Sequence, residues 1–553
     1  MANGDRLYDV VVIGSGVCGA VTAWKIALAG ARVLLLEAGE TGPQRVELVG
    51  SFARAAIKSP GSPYRGGDGD KFAAGPETRS DYYHPTGVFR STYLRRTGGS
   101  TWHFLGNVPR FLPNDFRMKE KYGVGVNWPL TYCDLEPDYC EAEALMGVSG
   151  DDDQWNNLFG AKRTQPFPMT KIWESYSDRM VTPAIESLEI DGQRLRVMNT
   201  PQARNSQAYD GRPACAGNSI CVPICPIQAK YDGTVHVKKA KGAGVEIRER
   251  AVVTRLAVAP GESRIAAVHY RNWDKSDHTV QGRYVVLAAH TIESAKILLY
   301  SLPGQGLANS SGQLGCNLMD HPQGAGGCLS REPLFPFRGP PTTSGIDVFR
   351  DGEFRRQRAA FRMSLGNDGW GRMEQPSETA AHLVDSELLF GEDLKKRVED
   401  RLTRMFRISY STELLPSEGN RVELSDDLDN LGIPMPKLQF TVPEYNYAAF
   451  EAARDVIRRI FQAIGGTDAK FAPLGNEWTG AGHVMGTCRM GDDPVNSVVD
   501  RDGRAHDHPN LFIVGSSVFP TAGTANPTLT ALAVTLRSCR AVISDLANRQ
   551  VHF

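Results

Sequence analysis

The chain has no apolar run approaching the roughly 18–20 residues that a membrane span requires, so no segment reads as membrane-spanning. It has no excess of charge either: 62 Lys and Arg stand against 63 Asp and Glu. That balance excludes the basic footprint of nucleic-acid binding and of adhesion to an anionic membrane. A charged-then-apolar leader is missing, because MANGDRLYDVVVIGSG runs almost at once into a strand. Taken alone, that predicts a cytoplasmic protein. No internal repeat is visible. Cysteine is sparse: Cys18, Cys133, Cys140, Cys316, Cys328, Cys488 and Cys539 are scattered, which is not the density of a disulfide scaffold. Glycine and proline are abundant instead. Fifty-six Gly and 33 Pro imply many tight turns and a loop-rich α/β or α+β architecture. At 553 residues the chain exceeds one simple core, so two large units, or one interleaved pair, are expected.

Residues 8–14, YDVVVIG, form a continuous apolar run, as a parallel strand buried on both faces requires. Gly14-x-Gly16-x-x-Gly19 follows directly. AVTAWKIALAG then has helical spacing and ends on Gly30, and a second strand, RVLLLEAG, carries Glu37 at its end. This is a βαβ dinucleotide fingerprint. Gly14 permits the turn, Gly16 lets a pyrophosphate approach, and Gly19 lets helix and strand pack closely. The helix N-terminus faces the phosphate charge, and Glu37 is expected to accept from both ribose hydroxyls. An acid there argues for FAD or NAD rather than NADP.

Later segments add to this unit. RRTGGSTWHFLGNVPRFLPNDF, residues 95–116, places a glycine pair before Ser100 and Thr101. Its exposed N–H groups suit a flat ring or a phosphate, and a plain turn explains them equally well. YVVLAAHTIESAKILL, residues 284–299, reads as a buried strand and helix returning to the same sheet. HPNLFIVGSSVFPTAGTANPTLTALAVTLRSC, residues 508–539, repeats that scheme, with a helix starting near Asn526-Pro527. Asn526 is by itself a good helix cap. His483 lies among glycines in GAGHVMGTCRMG, where a histidine is structural or can approach a ring closely. The stretches 116–210 and 320–480 are expected to form a second unit, including the alternating KLQFTV (437–442) and the helix 448–465. The arginines at 349–362 read as a solvated charged face.

The remaining cysteines form one group. In RPACAGNSICVPICPIQ, Cys215, Cys221 and Cys225 have the spacing Cys-x5-Cys-x3-Cys, with Pro226 after the last. A disulfide would leave one thiol over. Structural zinc wants four ligands and finds no second pair nearby. Closely spaced thiolates followed by proline suit an iron–sulfur cluster. The spacing leaves all three readings open.

Taken together, GSGVCG, TGGSTWH, LAAHTIESAKILL, HVMGTCRMG and GTANPTLTAL resemble the glucose–methanol–choline (GMC) oxidoreductase family along essentially the whole chain. GGSTWHFLGNVPRFLPNDF, YGVGVNWPLTYCDLEPDY, QARNSQAYDGRP, the cysteine segment and LGCNLMDHP are similar to one branch of it. That branch comprises the catalytic large subunits of bacterial membrane-bound sugar, polyol and aldonate dehydrogenases, of the glucose, fructose and gluconate 2-dehydrogenase type. The resemblance implies a Rossmann-like FAD-binding domain interleaved with a β-sheet-based substrate domain. Their parts fall at 1–115, 211–319 and 485–553 for the FAD domain, and at 116–210 and 320–484 for the substrate domain.

The resemblance also assigns roles. It gives the cofactor Gly14, Gly16, Gly19, Glu37, the loop Gly98-Gly99-Ser100, Val253, Gly515 and Ser516. His103 stands where relatives can link flavin to histidine. His483 becomes the base that accepts a substrate hydroxyl proton, and Asn526 holds the same oxygen while hydride moves to flavin N5. Cys215, Cys221 and Cys225 become ligands of a [3Fe–4S] cluster, with Ala216 where relatives often have another cysteine. Electrons would leave to a multihaem cytochrome c subunit and quinone. A small subunit carrying an export signal would bring the folded chain to the periplasmic face of the membrane, which the chain itself touches only indirectly. An oxidase that reduces oxygen, with structural cysteines, is the alternative. Gly482, Pro527 and His290 depart from the branch and leave the particular substrate open.

Overall fold

The computed structural model describes residues 7–55, 83–86, 89, 91, 93–368, 376–473 and 479–550. Two sheets organise them. The first is built from β1 (Tyr8–Ile13), β2 (Val33–Leu36), β3 (Glu246–Arg248), β4 (Gly282–Leu287) and β5 (Leu511–Ile513). Their spatial order is β5-β4-β1-β2-β3, and every pairing is parallel. In register, Val12 lies between Val286 and Leu35. The apolar runs follow from burial on both faces. Val10, Val12, Leu35, Val286 and Phe512 pack under Ala23 and Ile26 of α1 (Val17–Leu28). Val11, Ile13, Leu34, Leu36 and Leu287 face the larger core, which includes Leu298 of α2 (Thr291–Ser301) and Leu532 of α3 (Thr528–Gln550). Four widely separated parts of the chain therefore supply one Rossmann-like sheet, its strand carboxyl ends turned toward the site.

The second sheet has seven strands and is antiparallel. Its main path runs 467–471, 322–329, 405–412, 361–366, 344–346 and 197–199, with 479–480 paired to 322–329. Period-two alternation sorts its two faces. Phe361, Met363, Phe406, Ile408 and Tyr410 pack in a core with Phe450, Ile457 and Phe461 of the helix Glu444–Ala463. Arg362, Ser364, Arg407, Ser409 and Ser411 project from the opposite face into a cavity between the two sheets.

Two segments sit elsewhere than their pattern predicted. The strand Pro434–Gln439, grouped above with the second unit, pairs with 421–428 and 84–86 in a separate sheet. Val422 and Leu438 join the larger core beside Leu298. The helix Tyr132–Met146 likewise buries Leu135, Tyr139 and Met146 in that core. Periodicity reports which face of an element is buried, not against which partner. Three of the arginines at 349–362 differ from expectation, because Arg350, Arg355 and Arg362 are buried, while Arg356 is exposed as expected. Arg355 pairs with Asp115 at 2.8 Å and with Glu413, and Arg362 pairs with Asp347 at 2.9 Å. Such ions are tolerated inside because each has a carboxylate and further hydrogen bonds.

Gly19 shows how tightly α1 meets β1. A Cβ there would lie 1.9 Å from the Gly14 carbonyl oxygen. Gly19→Ala is expected to destabilise the protein by about 3 kcal/mol, at the upper end for overpacking, read as a fall in Tm on thermal unfolding.

Candidate active site

The cavity between the sheets has a volume of about 790 Å³, toward the upper end for small-molecule sites. One end is the βαβ turn. Gly14 has φ +98°, and a Cβ would meet Ala288 O at 2.6 Å, so only glycine makes this turn. At Gly16 a Cβ would meet no protein atom within 4 Å; the backbone there opens onto the cavity. Glu37 is buried, and its Oε2 accepts from Ser15 N at 2.8 Å and Ser15 Oγ at 2.6 Å, while Oε1 accepts from Gly39 N at 2.7 Å. Burial pushes its pKa up and these donors pull it back. A carboxylate has about four acceptor positions. Three are taken by Ser15 and Gly39, and acceptor capacity remains on the cavity side for ribose.

The glycine pair closes over this turn. Gly98 N donates to Ser15 Oγ at 3.1 Å. Gly98 and Gly99 both have positive φ, and a Cβ on Gly99 would come within 2.9 Å of Gly16 Cα. Gly99, Ser100, His103 and Val253 line the cavity, as do Gly515 and Ser516. Gly19 and Gly98 lie behind it, shaping the turns. Burial, Lys230 and His290 bring the His103 pKa down to about 4. Ser516 Oγ donates to Val484 O at 2.8 Å, which ties this wall to the His483 loop.

At the other end Asn526 Nδ2 lies 2.9 Å from His483 Nε2, and His321 Nδ1 lies 2.8 Å from His483 Nδ1. The His483 main chain is held by Asp320, whose Oδ1 accepts from His483 N at 2.9 Å, His321 N at 2.6 Å and Ala481 N at 3.2 Å. Its Oδ2 accepts from Ser91 Oγ. Burial pushes the Asp320 carboxyl up to about 6 against those four donors. Burial, aided by the neighbouring His321, holds the His483 pKa well below that of an ordinary imidazole.

This geometry pairs a nucleotide-type turn with a neutral histidine at one cavity, and the comparisons with known proteins agree with it. Two GMC oxidoreductase family profiles match residues 169–323 and 416–535. The fructose dehydrogenase large subunit of Gluconobacter japonicus is 35% identical over 568 residues, covering 99% of each chain. The chain belongs to the GMC oxidoreductase family. Paromamine 6′-oxidase of Streptomyces fradiae is 29% identical, with 99% of this chain and 93% of that one covered. A solved structure of Aspergillus oryzae formate oxidase shares the fold, with a TM-score of 0.66 at 15% identity, covering 99% of this chain and 100% of that one.

This GMC oxidoreductase is an FAD-dependent enzyme, and its own residues fit that cofactor. Gly16 leaves open space where a phosphate would lie, Glu37 keeps acceptor capacity, and the buried Asn107 Oδ1 on the cavity wall has no hydrogen-bond partner among the described residues. Asn107, His321 and Asp320 were not singled out from the sequence, and His290 was noted only as a departure from the branch. The signal for two of them was present in LGCNLMDHP, where Asp320 and His321 adjoin. Only folding brings them to residue 483.

The cysteine triplet lies on a loop whose Val222 reaches the cavity wall and whose Ile224 packs on Trp102. No disulfide joins the ten cysteines in this structure. Cys215 Sγ accepts from Gly217 N at 3.4 Å and Cys225 Sγ from Lys230 N at 3.5 Å. Burial pushes the Cys221 thiol up, while Arg204 and Lys230 pull it down. Among the described residues, no group of three His, Cys, Asp or Glu side chains is arranged to hold a metal ion. The donors suit a cluster, but their arrangement is not a closed ligand set.

A histidine-selective NMR titration is expected to show His483 neutral from pH 8 down past 6.5, the ordinary imidazole value. Protonation belongs at more acidic pH, because desolvation disfavours the cation. A midpoint at or above 6.5 would contradict this.

Proposed function

We propose that this enzyme is an FAD-dependent dehydrogenase that oxidises a hydroxyl of a neutral sugar or polyol. The observation that carries the reading is the His483–Asn526 pair, 2.9 Å apart, in the same cavity as Gly16 and Glu37. A substrate hydroxyl entering between the two side chains accepts from the Asn526 amide and donates its proton to His483 Nε2. A neutral imidazole is a suitable base near pH 7. Bound FAD supplies the two-electron acceptor that takes the carbon-bound hydrogen as hydride. The chain holds the carbinol carbon in place and keeps the proton on His483.

The walls favour an uncharged, hydroxyl-rich substrate. Gln323, Ser364, Ser409 and Ser411 offer donors and acceptors. Each arginine on the wall already has a carboxylate: Arg95 has Glu293 at 2.8 Å, Arg362 has Asp347 at 2.9 Å, and Arg407 has Asp368 at 3.1 Å. No unpaired cation among the described wall residues greets an aldonate. In an anaerobic panel, fructose, glucose or sorbitol is expected to bleach the flavin and gluconate is not. His483→Ala is expected to keep its flavin and lose at least about 100-fold in bleaching rate; near-wild-type bleaching in that variant would sink the reading. Acid precipitation of the same protein, which strips non-covalent flavin, decides whether His103 forms a histidyl link.

We further propose that electrons leave through a [3Fe–4S] cluster on Cys215, Cys221 and Cys225 to a cytochrome c subunit. A small subunit with an export signal would place the complex at the periplasmic face of the membrane. The full-length likeness to a protein named as a large subunit, and the reach of Val222 to the cavity wall, support this. The second reading, an oxidase, is favoured by the full-length likeness to paromamine 6′-oxidase. Purified protein is expected to contain iron and acid-labile sulfide, and Cys221→Ser to slow acceptor reduction while sparing flavin reduction. Iron-free protein that makes peroxide in air would favour the oxidase.

A further inference from the structure

His483 has two ring nitrogens, and only the one bearing a lone pair toward the cavity can take a substrate proton. Which one it is follows from a chain of hydrogen bonds that begins at the backbone. His321 Nε2 lies 3.1 Å from Gly523 O and 3.2 Å from Ala522 O. A carbonyl oxygen only accepts, so this nitrogen carries the proton and donates. Burial brings the His321 pKa down to about 4, so the ring is neutral at pH 7 and its Nδ1 carries a lone pair. That Nδ1 faces His483 Nδ1 at 2.8 Å, so the single proton between them belongs to His483, which donates. His483 is neutral too, which leaves its Nε2 unprotonated.

The far end of the chain agrees but does not decide. Asn526 Nδ2 donates to His483 Nε2 at 2.9 Å. An amide can turn over and offer its oxygen instead, so Asn526 would serve either tautomer. The Ala522 and Gly523 carbonyls cannot. Gly523 has φ +56°, and a Cβ there would stand 2.9 Å from Phe111, so the backbone is held in this turn by packing. The segment 522–526 thus grips the two histidines from both ends.

We propose that His321 is a positioning residue that sets the tautomer of His483, fixing its proton-accepting lone pair on Nε2 toward the substrate. This deepens the function proposed above and rests on His483 being the base. When Nε2 takes the hydroxyl proton, His483 holds a proton on each nitrogen. His321 Nδ1 goes on accepting from Nδ1, so no second proton moves.

The test combines a spectroscopic and a kinetic readout on the holoenzyme. With ¹⁵N-labelled histidine, and His483→Ala to assign the signals, wild-type His483 is expected as the Nδ1–H form. Finding the Nε2–H form overturns the proposal without any further variant. His321→Leu removes the acceptor. It is expected to admit the Nε2–H form and to slow flavin reduction about 100-fold, with KM and flavin content nearly unchanged. In His321→Gln the side-chain amide can donate to the two carbonyls while its oxygen accepts from His483. It is expected to keep the Nδ1–H form and recover most of the lost rate. A fully flavinylated His321→Leu that reduces like wild type, or a His321→Gln as slow as the Leu variant, overturns the proposal while leaving the base intact. A His483→Ala variant that reduces flavin near the wild-type rate instead overturns the underlying function.

Discussion

The His483 end of the cavity hangs on one buried carboxylate. Asp320 is inaccessible to solvent and accepts four hydrogen bonds: three backbone N–H groups on Oδ1 and the Ser91 hydroxyl on Oδ2. Those donors come from three distant parts of the chain. An unsatisfied buried N–H costs about 1–3 kcal/mol, so these donors are stabilised by sharing one buried carboxylate. The result is a rigid turn at 480–483 laid beside the start of the strand Pro322–Leu329. The ring of His483 can then meet His321 on one side and Asn526 on the other. Everything chemical at this end depends on that fastening.

The other end depends on close backbone approach. Three backbone contacts fall where side chains would not fit: Gly14 against Ala288, Gly19 against Gly14, and Gly99 against Gly16. Their removal of Cβ atoms lets the sheet's carboxyl edge open into a cavity rather than fill with side chains. The second sheet closes it with its polar face, while its apolar face is buried under the helix Glu444–Ala463. The two ends are held at a fixed separation because strands of both sheets alternate along the chain. Neither sheet completes without the other's connections.

Charge inside the molecule is handled by pairing. The buried arginines at 350, 355 and 362 looked like a solvated face, since a run of Arg, Glu and Asp is usually that. Asp115 and Glu413, the partners of Arg355, lie far off in sequence, whereas Asp347 serves both Arg350 and Arg362 from the same stretch of chain. On the cavity wall Arg362 is paired in this way, as Arg95 is with Glu293 and Arg407 with Asp368.

The local units were legible in the sequence. The βαβ turn with its three glycines and Glu37, the return strands before residues 290 and 514, and His483 among small residues each carry their signal within about ten neighbouring positions. That is because turn sterics, two-face burial and helix capping are short-range effects. What the residues alone determined was therefore the kind of site and the family that builds it. Tertiary structure decided the rest: that 421–439 and 132–146 join the larger core, that Ser15 and Gly39 bond Glu37, and that His321 lies between two carbonyls and the His483 ring. These outcomes rest on hydrogen bonds and packing between residues up to several hundred positions apart. No local pattern encodes such partners, because a buried polar group chooses whichever acceptor the completed fold brings within 3 Å.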